Sequence, residues 1–532
     1  VRRRRPRLPL GLTFCGAGVA LAMLLPLAYL VLRAAGAGEE GLRFLLSGRT
    51  ALLLWQTLVL AAAVTALTAV LGVPLAWLTA RTDLPGRRLW SVALVVPLVV
   101  PTYVGAFAFI AALGPRGLLQ QLLEGPFGVQ RLPEIYGFGG ATLALTLFTY
   151  PYVFVTVRGA LLRLDPAFEQ ASRSLGAGPW RTFVRVTLPL LRPAVVAGCL
   201  LVALYTLSDF GAVSLLQYTS FTRAIYLQYQ GSLDRSMAAL LALALVALTA
   251  VLLFAEGASR GRARYFRFAR ATAPPDRIRL GRWTAPALLL CAATVLAAVV
   301  LPVAVLLYWL ARGLAAASVR FDALWLPLLN SGYAAGAAAG AALVAAVPVA
   351  LLAVRHPGPL STAIERITYG SFALPGIVVA LALVFFGANF APVLYQTLAL
   401  LVFAYVVRFL PEAVASLRSG LLQVNPHLEE AAAGLGRRRR EVFVTVTAPL
   451  IAPAALGGVA LVFMSAVKEL PVTLLLSPIG FKSLATATWT ATASGLYAQA
   501  APPALLLVLI SAASLPWLLR SDDAPDAERT AE

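Results

Sequence analysis

The sequence predicts an all-α, polytopic membrane protein of about 12 transmembrane helices, arranged as two parallel six-helix repeats. Three observations lead there: the scarcity of charge, the length of the uncharged runs, and a polar segment that occurs twice. Of 532 residues, 60% are hydrophobic and 12% charged, where a soluble chain carries about a quarter charged. No charged residue interrupts 8–32, 50–80, 89–115, 236–255, 283–311, 323–354, 367–407 or 483–519. A helix needs roughly 20 apolar residues to cross the hydrocarbon core, so most of these runs hold one or two crossings. A large soluble protein with buried helices is the competing reading, and such runs weigh against it.

Taken in order, spans are expected at 10–32, 55–79, 89–113, 139–161, 194–216, 237–256, 285–310, 330–354, 367–387, 394–417, 455–476 and 500–519. With the N-terminus inside, most of the 43 Lys and Arg fall on inner segments, as the positive-inside rule requires. The formal charge of +20 is therefore an orientation signal and not a nucleic-acid footprint. The partner it implies is the lipid bilayer, with both termini cytoplasmic. Val1 to Arg7 resembles a signal-peptide n-region, but the apolar run after it outlasts an h-region of 7–15 residues. An uncleaved first span is expected.

Cys15, Cys199 and Cys291 are far apart in apolar surroundings, a pattern of neither a disulfide framework nor a zinc site. His356 and His427 are the only histidines, too few for a His-based metal cluster. No metal site is expected.

Sliding the chain by 260 residues lays 164–193 on 424–453 with twelve of thirty positions identical. Among them are Pro166/Pro426, Glu169/Glu429, Gly176/Gly436, Thr187/Thr447, Pro189/Pro449 and Pro193/Pro453. The same shift pairs Asp209 with Glu469. Each half holds six spans, an even number, so both enter the membrane from the same side. The expected organisation is a first transmembrane half (1–256), a basic inner-face linker (257–283), a second half (284–520) and a polar cytoplasmic tail (521–532). The linker carries eight Arg. It reads either as a solvated topogenic segment or as one resting on anionic lipid at about 1 kcal/mol per basic residue.

The repeated segments, "EQASRSLGAGPWRTFVRVTLPLLRP" (169–193) and "EEAAAGLGRRRREVFVTVTAPLIAP" (429–453), both fall on the inner face after the fourth span of their half. Each follows an x-Pro break, Asp165-Pro166 or Asn425-Pro426. A short helix, a Gly turn and re-entry after Pro193 or Pro453 are expected, since proline breaks a helix interior. A loop so defined, present twice on one face, suggests a docking surface for a two-fold partner, against the plainer alternative of a solvated loop.

These segments resemble the EAA loop of ABC importer permeases: a Glu-Ala-Ala run, a Gly, then an aliphatic-x-Leu-Pro ending. The second copy has Glu430, Ala431, Ala432, Gly436, Val446 and Pro449. The first has Glu169, Gln170, Ala171, Ser172, Gly176, Val186, Leu188 and Pro189. Gln170, Ser172 and Ala448 depart from the pattern. The resemblance implies a cytoplasmic coupling helix in each half, seated in a groove of a separate ABC ATPase subunit. Two loops imply two ATPase copies. "KELPVTLLLSPIGFKSLATATW" (468–489), "SDFGAVSLLQYTSFTRAIYLQY" (208–229) and "RTDLPGRR" (81–88) further resemble the fused twelve-span permeases of ferric-iron importers. That resemblance implies a bacterial inner-membrane location, an extracytoplasmic substrate-binding protein meeting 217–235 and 477–499, and alternating access.

A P-loop needs a Gly-Lys-Ser/Thr run. Lys468 and Lys482 are the only lysines, and neither follows a glycine. The chain is expected to be no enzyme, with no catalytic residues and no cofactor of its own, ATP being used by the partner subunit. Charges within spans are costly and mark function by default. Asp209 and Glu469 are thus candidates for a substrate pathway, their carboxylate oxygens suiting a hard cation. The bland alternative is a pair of interfacial acids with structural partners. Arg408 and Glu412 read as an i,i+4 pair. Tyr218, Tyr226 and Tyr229 read as an interfacial belt or as binding-protein contacts. Thiamine, sulfate, polyamine and phosphonate stay open as cargo. A twelve-span secondary transporter, suggested only by "DLPGRR" (83–88), leaves the duplicated loops unexplained.

Overall fold

The computed structural model describes residues 9–231, 236–259 and 277–513. Val1 to Arg7, most of the basic linker (260–276), the end of the twelfth expected span (514–519) and the polar tail (521–532) lie outside the described residues. Among the described residues the regular structure is helical, with one isolated β-bridge between Thr82 and Ile278. Ten helices are long and apolar enough to cross a membrane, and a further pair, Pro359–Ala373 and Gly376–Phe390, is bent by 104°. Tyr497–Ala512 is apolar but shorter.

The third expected span is not one rod. It is Arg87–Ala93, a 3-10 turn at Val96–Val99 and then Thr102–Leu113. The cause is Pro101, which pushes the residue before it out of the helical region; Val100 sits at φ −81°, ψ 117°. Leu374 before Pro375 has nearly the same angles, φ −79°, ψ 117°, and the ninth span breaks there. The halves are thus repeated even in their interruptions.

Helices Gly48–Arg81 and Asp322–Arg355 have 34 residues each and end on arginine. They are 274 positions apart. Phe138–Arg163 and Leu398–Gln423 have 26 residues each and are 260 apart. The register changes because 114–137 carries an inserted helix, Leu118–Phe127.

Contacts divide the chain into two compact units. One comprises Val1–Leu45, Ile225–Val246 and Arg320–Thr490; the other comprises Leu46–Ala224, Ala247–Val319 and Ala491–Glu532. They interleave the linear halves. In the first, Asp322–Arg355 packs on Leu398–Gln423 and Ala448–Lys468, and Leu10–Ala35 lies against Asp322–Arg355, Pro359–Gly370 and Gly376–Phe390. Tyr29 meets Phe386 and Phe390 edge-on at 6.1 and 5.7 Å. In the second, Gly48–Arg81 packs on Phe138–Arg163 and Leu188–Ser208, and Leu301–Ala315 packs on Tyr497–Ala512 and Thr102–Leu113. Gly72 permits the first of these approaches, for a Cβ there would lie 3.0 Å from Val153 Cβ and 3.2 Å from the Tyr150 carbonyl. Small residues at such contacts let apolar helices gain close packing where no water drives them together.

Candidate functional site

Each repeated loop begins with a capped helix. Asp165 Oδ1 accepts from the Ala167 N–H at 2.9 Å, and Asn425 Oδ1 from the His427 N–H at 3.0 Å. This satisfies one of the amides a helix start leaves bare. Proline follows at the first position of each, where its missing N–H costs nothing, and the helices run Pro166–Ser174 and Pro426–Gly434. Both stop at a left-handed glycine, Gly176 at φ 82° and Gly436 at φ 84°. The amides after the turn bond back to the helix: Ala177 N–H to Ser172 O and Gly176 N–H to Arg173 O, repeated as Arg437 to Ala432 and Gly436 to Ala433. This is the two-bond helix stop that glycine makes cheap.

Beyond the glycine the structure departs from the expected re-entry after Pro193 or Pro453. Helix resumes by Pro179 and Arg439 and runs on through both prolines into Leu188–Ser208 and Ala448–Lys468. A wide π-turn precedes each entry, at Phe183–Thr187 and Phe443–Thr447. An ordinary helix would set Pro189 or Pro449 against the carbonyl four residues earlier. The widened turn, closed by Leu188 N–H to Phe183 O and Ala448 N–H to Phe443 O, relieves that clash, so the prolines stiffen a continuous rod.

Each loop is held to its own unit through a glutamate. Thr187 Oγ1 donates to Glu169 Oε1 at 2.9 Å, and Arg81 Nε lies 3.8 Å from the same oxygen. Arg81 also donates to the Leu164 carbonyl at 3.1 Å. In the second copy Thr447 Oγ1 donates to Glu429 Oε1 at 2.9 Å, while Arg355 Nη2 donates to that oxygen at 3.1 Å and to the Val424 carbonyl at 3.2 Å. The arrangement is reproduced residue for residue, although its members follow two registers. It is deeper in the first copy, where the Arg and Glu side chains are 1% and 7% exposed, against 15% and 22% in the second.

The expected coupling residues thus divide. Glu169 is an inward tie. Gln170, Ala171, Glu430 and Ala431 lie on the exposed side, Ala432 is half-buried, and Glu430 pairs with exposed His427 at 3.0 Å. Pro189 and Pro449 sit at the rod entry. The true counterpart of Glu169 is Glu429, and Arg81, Arg355, Thr187 and Thr447 complete the set. Identity at Glu169/Glu429 and Thr187/Thr447 was the sequence signal for the glutamates and threonines, and the arginines fall outside that register. The outward face offers large apolar side chains instead: Leu175 is 89% and Leu435 85% exposed, immediately before the two glycines.

Asp209 and Glu469 close the helices Leu188–Ser208 and Ala448–Lys468 and belong to separate units. Both Asp209 oxygens are engaged. Oδ2 accepts from Thr102 Oγ1 at 2.6 Å, and Oδ1 accepts from the Ala212 and Val213 amides at 3.0 and 3.2 Å, starting the short helix Gly211–Leu215. Glu469 Oε1 has no hydrogen-bond partner among the described residues. Among the described residues Arg408 and Glu412, the expected i,i+4 pair, make no direct ion pair, although their charges attract at longer range. Arg408 donates to the Leu374 carbonyl at 2.5 Å, at the broken ninth span, and Glu412 accepts from Ser465 Oγ at 2.9 Å. Tyr218 is buried and donates to the Gln56 carbonyl at 2.7 Å, so it anchors its loop rather than forming a belt. Among the described residues no group of three or more metal-ligating side chains gathers.

Residues 70–265 and 342–516 each match the family described as binding-protein-dependent transport system inner membrane component. The chain belongs to this family. The permease is 34% identical over 512 residues to the Fe(3+)-transport system permease protein FbpB 2 of Haemophilus influenzae, covering 96% of this chain and 97% of that one. It is 25% identical to the ferric transport system permease protein FbpB of Actinobacillus pleuropneumoniae, covering 81% and 65%. It is 35% identical over 162 residues to the molybdenum transport system permease protein ModB of Escherichia coli, covering 30% and 69%. The permease is therefore a multi-pass, non-catalytic membrane subunit of a transport system that works with a binding protein. One family match falls in each half of the sequence, and each contains one of the two loops, 169–193 and 429–453.

Proposed function

We propose that this permease carries ferric iron across the bacterial inner membrane. The observation behind the cargo is the end-to-end match to a permease named for Fe(3+) transport, whereas the molybdenum permease aligns with only 30% of the chain. An extracytoplasmic binding protein delivers the iron to the outer loops. Two copies of a separate ATPase subunit dock on the two cytoplasmic loops, with both termini on that side. The permease binds no cofactor of its own, and ATP is consumed by the partner.

In this reading the docking helices Pro166–Ser174 and Pro426–Gly434 enter grooves of the ATPase, led by Leu175 and Leu435 and flanked by Gln170, Ala171, Glu430, Ala431 and Ala432. Gly176 and Gly436 set the turn, and Pro189 and Pro449 keep the exit stiff. Closure of the ATPase pair moves these helices, and the spans continuous with them carry the motion into the membrane as alternating access. Of the two candidate pathway acids, Asp209 and Glu469, Glu469 has a buried oxygen with no hydrogen-bond partner, which a hard cation would satisfy if the surrounding helices move apart during the cycle. Asp209 contributes charge next to a packed corner.

The test is reconstitution of the permease with its ATPase and binding protein in liposomes. Uptake of labelled ferric iron, molybdate and thiamine is then compared with and without ATP. Iron uptake that requires ATP supports the reading. Iron uptake driven by a proton gradient without ATPase, or preference for another cargo, overturns it.

A further inference from the structure

The long helices Gly48–Arg81 and Asp322–Arg355 are pinned at two places, in the same way in each half. At the inner end the pins are Arg81 and Arg355, holding Glu169 and Glu429 of the docking loops. Towards the other end, inside the starts at Gly48 and Asp322, Thr57 Oγ1 accepts the Phe221 N–H at 3.1 Å and Ser331 Oγ accepts the Leu484 N–H at 2.8 Å. The neighbouring residues repeat the tie, with Tyr218 bonding the Gln56 carbonyl at 2.7 Å and Asn330 Nδ2 bonding the Lys482 carbonyl at 2.9 Å. Gln56 pairs with Asn330 and Thr57 with Ser331 in the register that pairs Arg81 with Arg355. The Thr57 hydroxyl donates to Leu53 O at 2.8 Å, which aims its lone pair at the incoming amide.

Phe221 and Leu484 begin the helices Phe221–Gly231 and Leu484–Ala493, in the segments that face the binding protein in the proposed function. From Thr57 to Arg81 is about 36 Å at 1.5 Å per residue, enough to cross the hydrocarbon core. In each half one continuous helix, whose hydrogen-bond ladder on this stretch lacks a donor at Pro74 or Pro348, therefore joins an outer loop to a docking loop. We propose that these two helices are transmission rods: they report binding-protein arrival at Phe221 and Leu484 to the ATPase-docking loops through Arg81–Glu169 and Arg355–Glu429. Arg81, Arg355, Thr57 and Ser331 are positioning residues, acting through the loops they hold. This rests on the reading of the loops as ATPase docking sites.

The experiment uses the full permease–ATPase complex in liposomes with iron-loaded binding protein. Assembly, basal ATP hydrolysis and the fold-stimulation of hydrolysis by binding protein are measured separately. The inner variant is Arg81→Met with Arg355→Met, and the outer variant is Thr57→Val with Ser331→Ala. Measured on the complexes that assemble and relative to each variant's own basal hydrolysis, stimulation should fall roughly fivefold or more for the inner variant. Combining inner and outer changes should cost little beyond the inner change alone, as for residues that act on one line. Wild-type stimulation in the inner variant, or losses that multiply as for independent sites, overturns the proposal. Should the arginine variants fail to fold, Thr187→Val with Thr447→Val loosens the same glutamates without baring a charge. Undiminished stimulation there overturns it equally. If the ATPase still assembles after deletion of both docking helices, the docking reading itself falls, and the rods with it. If assembly needs those helices while the rod variants retain stimulation, the rods alone fall.

Discussion

Thr102 Oγ1 donates to Asp209 Oδ2 at 2.6 Å, and at the repeat-related place Gly376 lies against Glu469. The pairs exchange bulk: a threonine with a short acid in one half, a glycine with a longer acid in the other. A Cβ on Gly376 would collide with Glu469 Oε1.

Gly376→Thr should therefore destabilise the permease by about 1–3 kcal/mol, the usual cost of overpacking, and lower iron import. Adding Glu469→Asp recreates the first-half pair and should restore thermal stability in detergent. If the double variant melts no higher than Gly376→Thr alone, the exchange is not the basis of the packing.

Gly176 and Gly436 have open space where a side chain would stand, so their requirement is conformational. Replacing both with Leu should cost about 1–2 kcal/mol at each turn. Membrane insertion should persist while ATPase co-purification and import fall. Asn, which tolerates the left-handed region, should be markedly milder. Equal effects of Leu and Asn would contradict the conformational account.

Leu175→Ala with Leu435→Ala removes two side chains that contribute almost nothing to folding, being 89% and 85% exposed. The thermal midpoint should not move. ATPase affinity should weaken by about 1.5–3 kcal/mol per leucine buried in the complex, read by titration of labelled ATPase. Unchanged affinity would remove these leucines from the docking face.

The two glutamate ties should respond unequally. Glu169→Gln leaves Arg81, 1% exposed, without its counter-charge, and breaking such a pair costs about 3–5 kcal/mol. Glu429→Gln opens a more exposed pair and should cost roughly 1 kcal/mol. Thermal unfolding of the two single variants checks the order.

The docking loops were legible because their identities survive a single shift of 260. Arg81 and Arg355 were not, since the inserted helix Leu118–Phe127 moves everything before it into a register of 274, where that shift cannot pair them. The familiar Glu-Ala-Ala pattern also drew attention to Glu430, while the packed acid is its neighbour Glu429. Which of two adjacent glutamates turns inward depends on the helix face presented to Arg355, and composition does not carry that. Hydropathy located the third and ninth spans but smoothed over their breaks at Pro101 and Pro375, because the windows that detect a crossing are longer than the interruption. The expected re-entry after Pro193 failed for a different reason: helix already runs from Trp180 to Ser208, and a π-turn before Pro189 relieves the clash at that first proline.

Leu10–Ala35 packs with helices from the second half of the sequence, and Leu301–Ala315 packs with Thr102–Leu113 from the first. Neither half translated by itself would own a complete set of neighbours. Two free polypeptides would have to trade helices at every encounter, at a rate set by their abundance in the membrane. Fusion turns that barter into an intramolecular search at high effective concentration, so a single gene product secures a stoichiometry that two would have to find by collision.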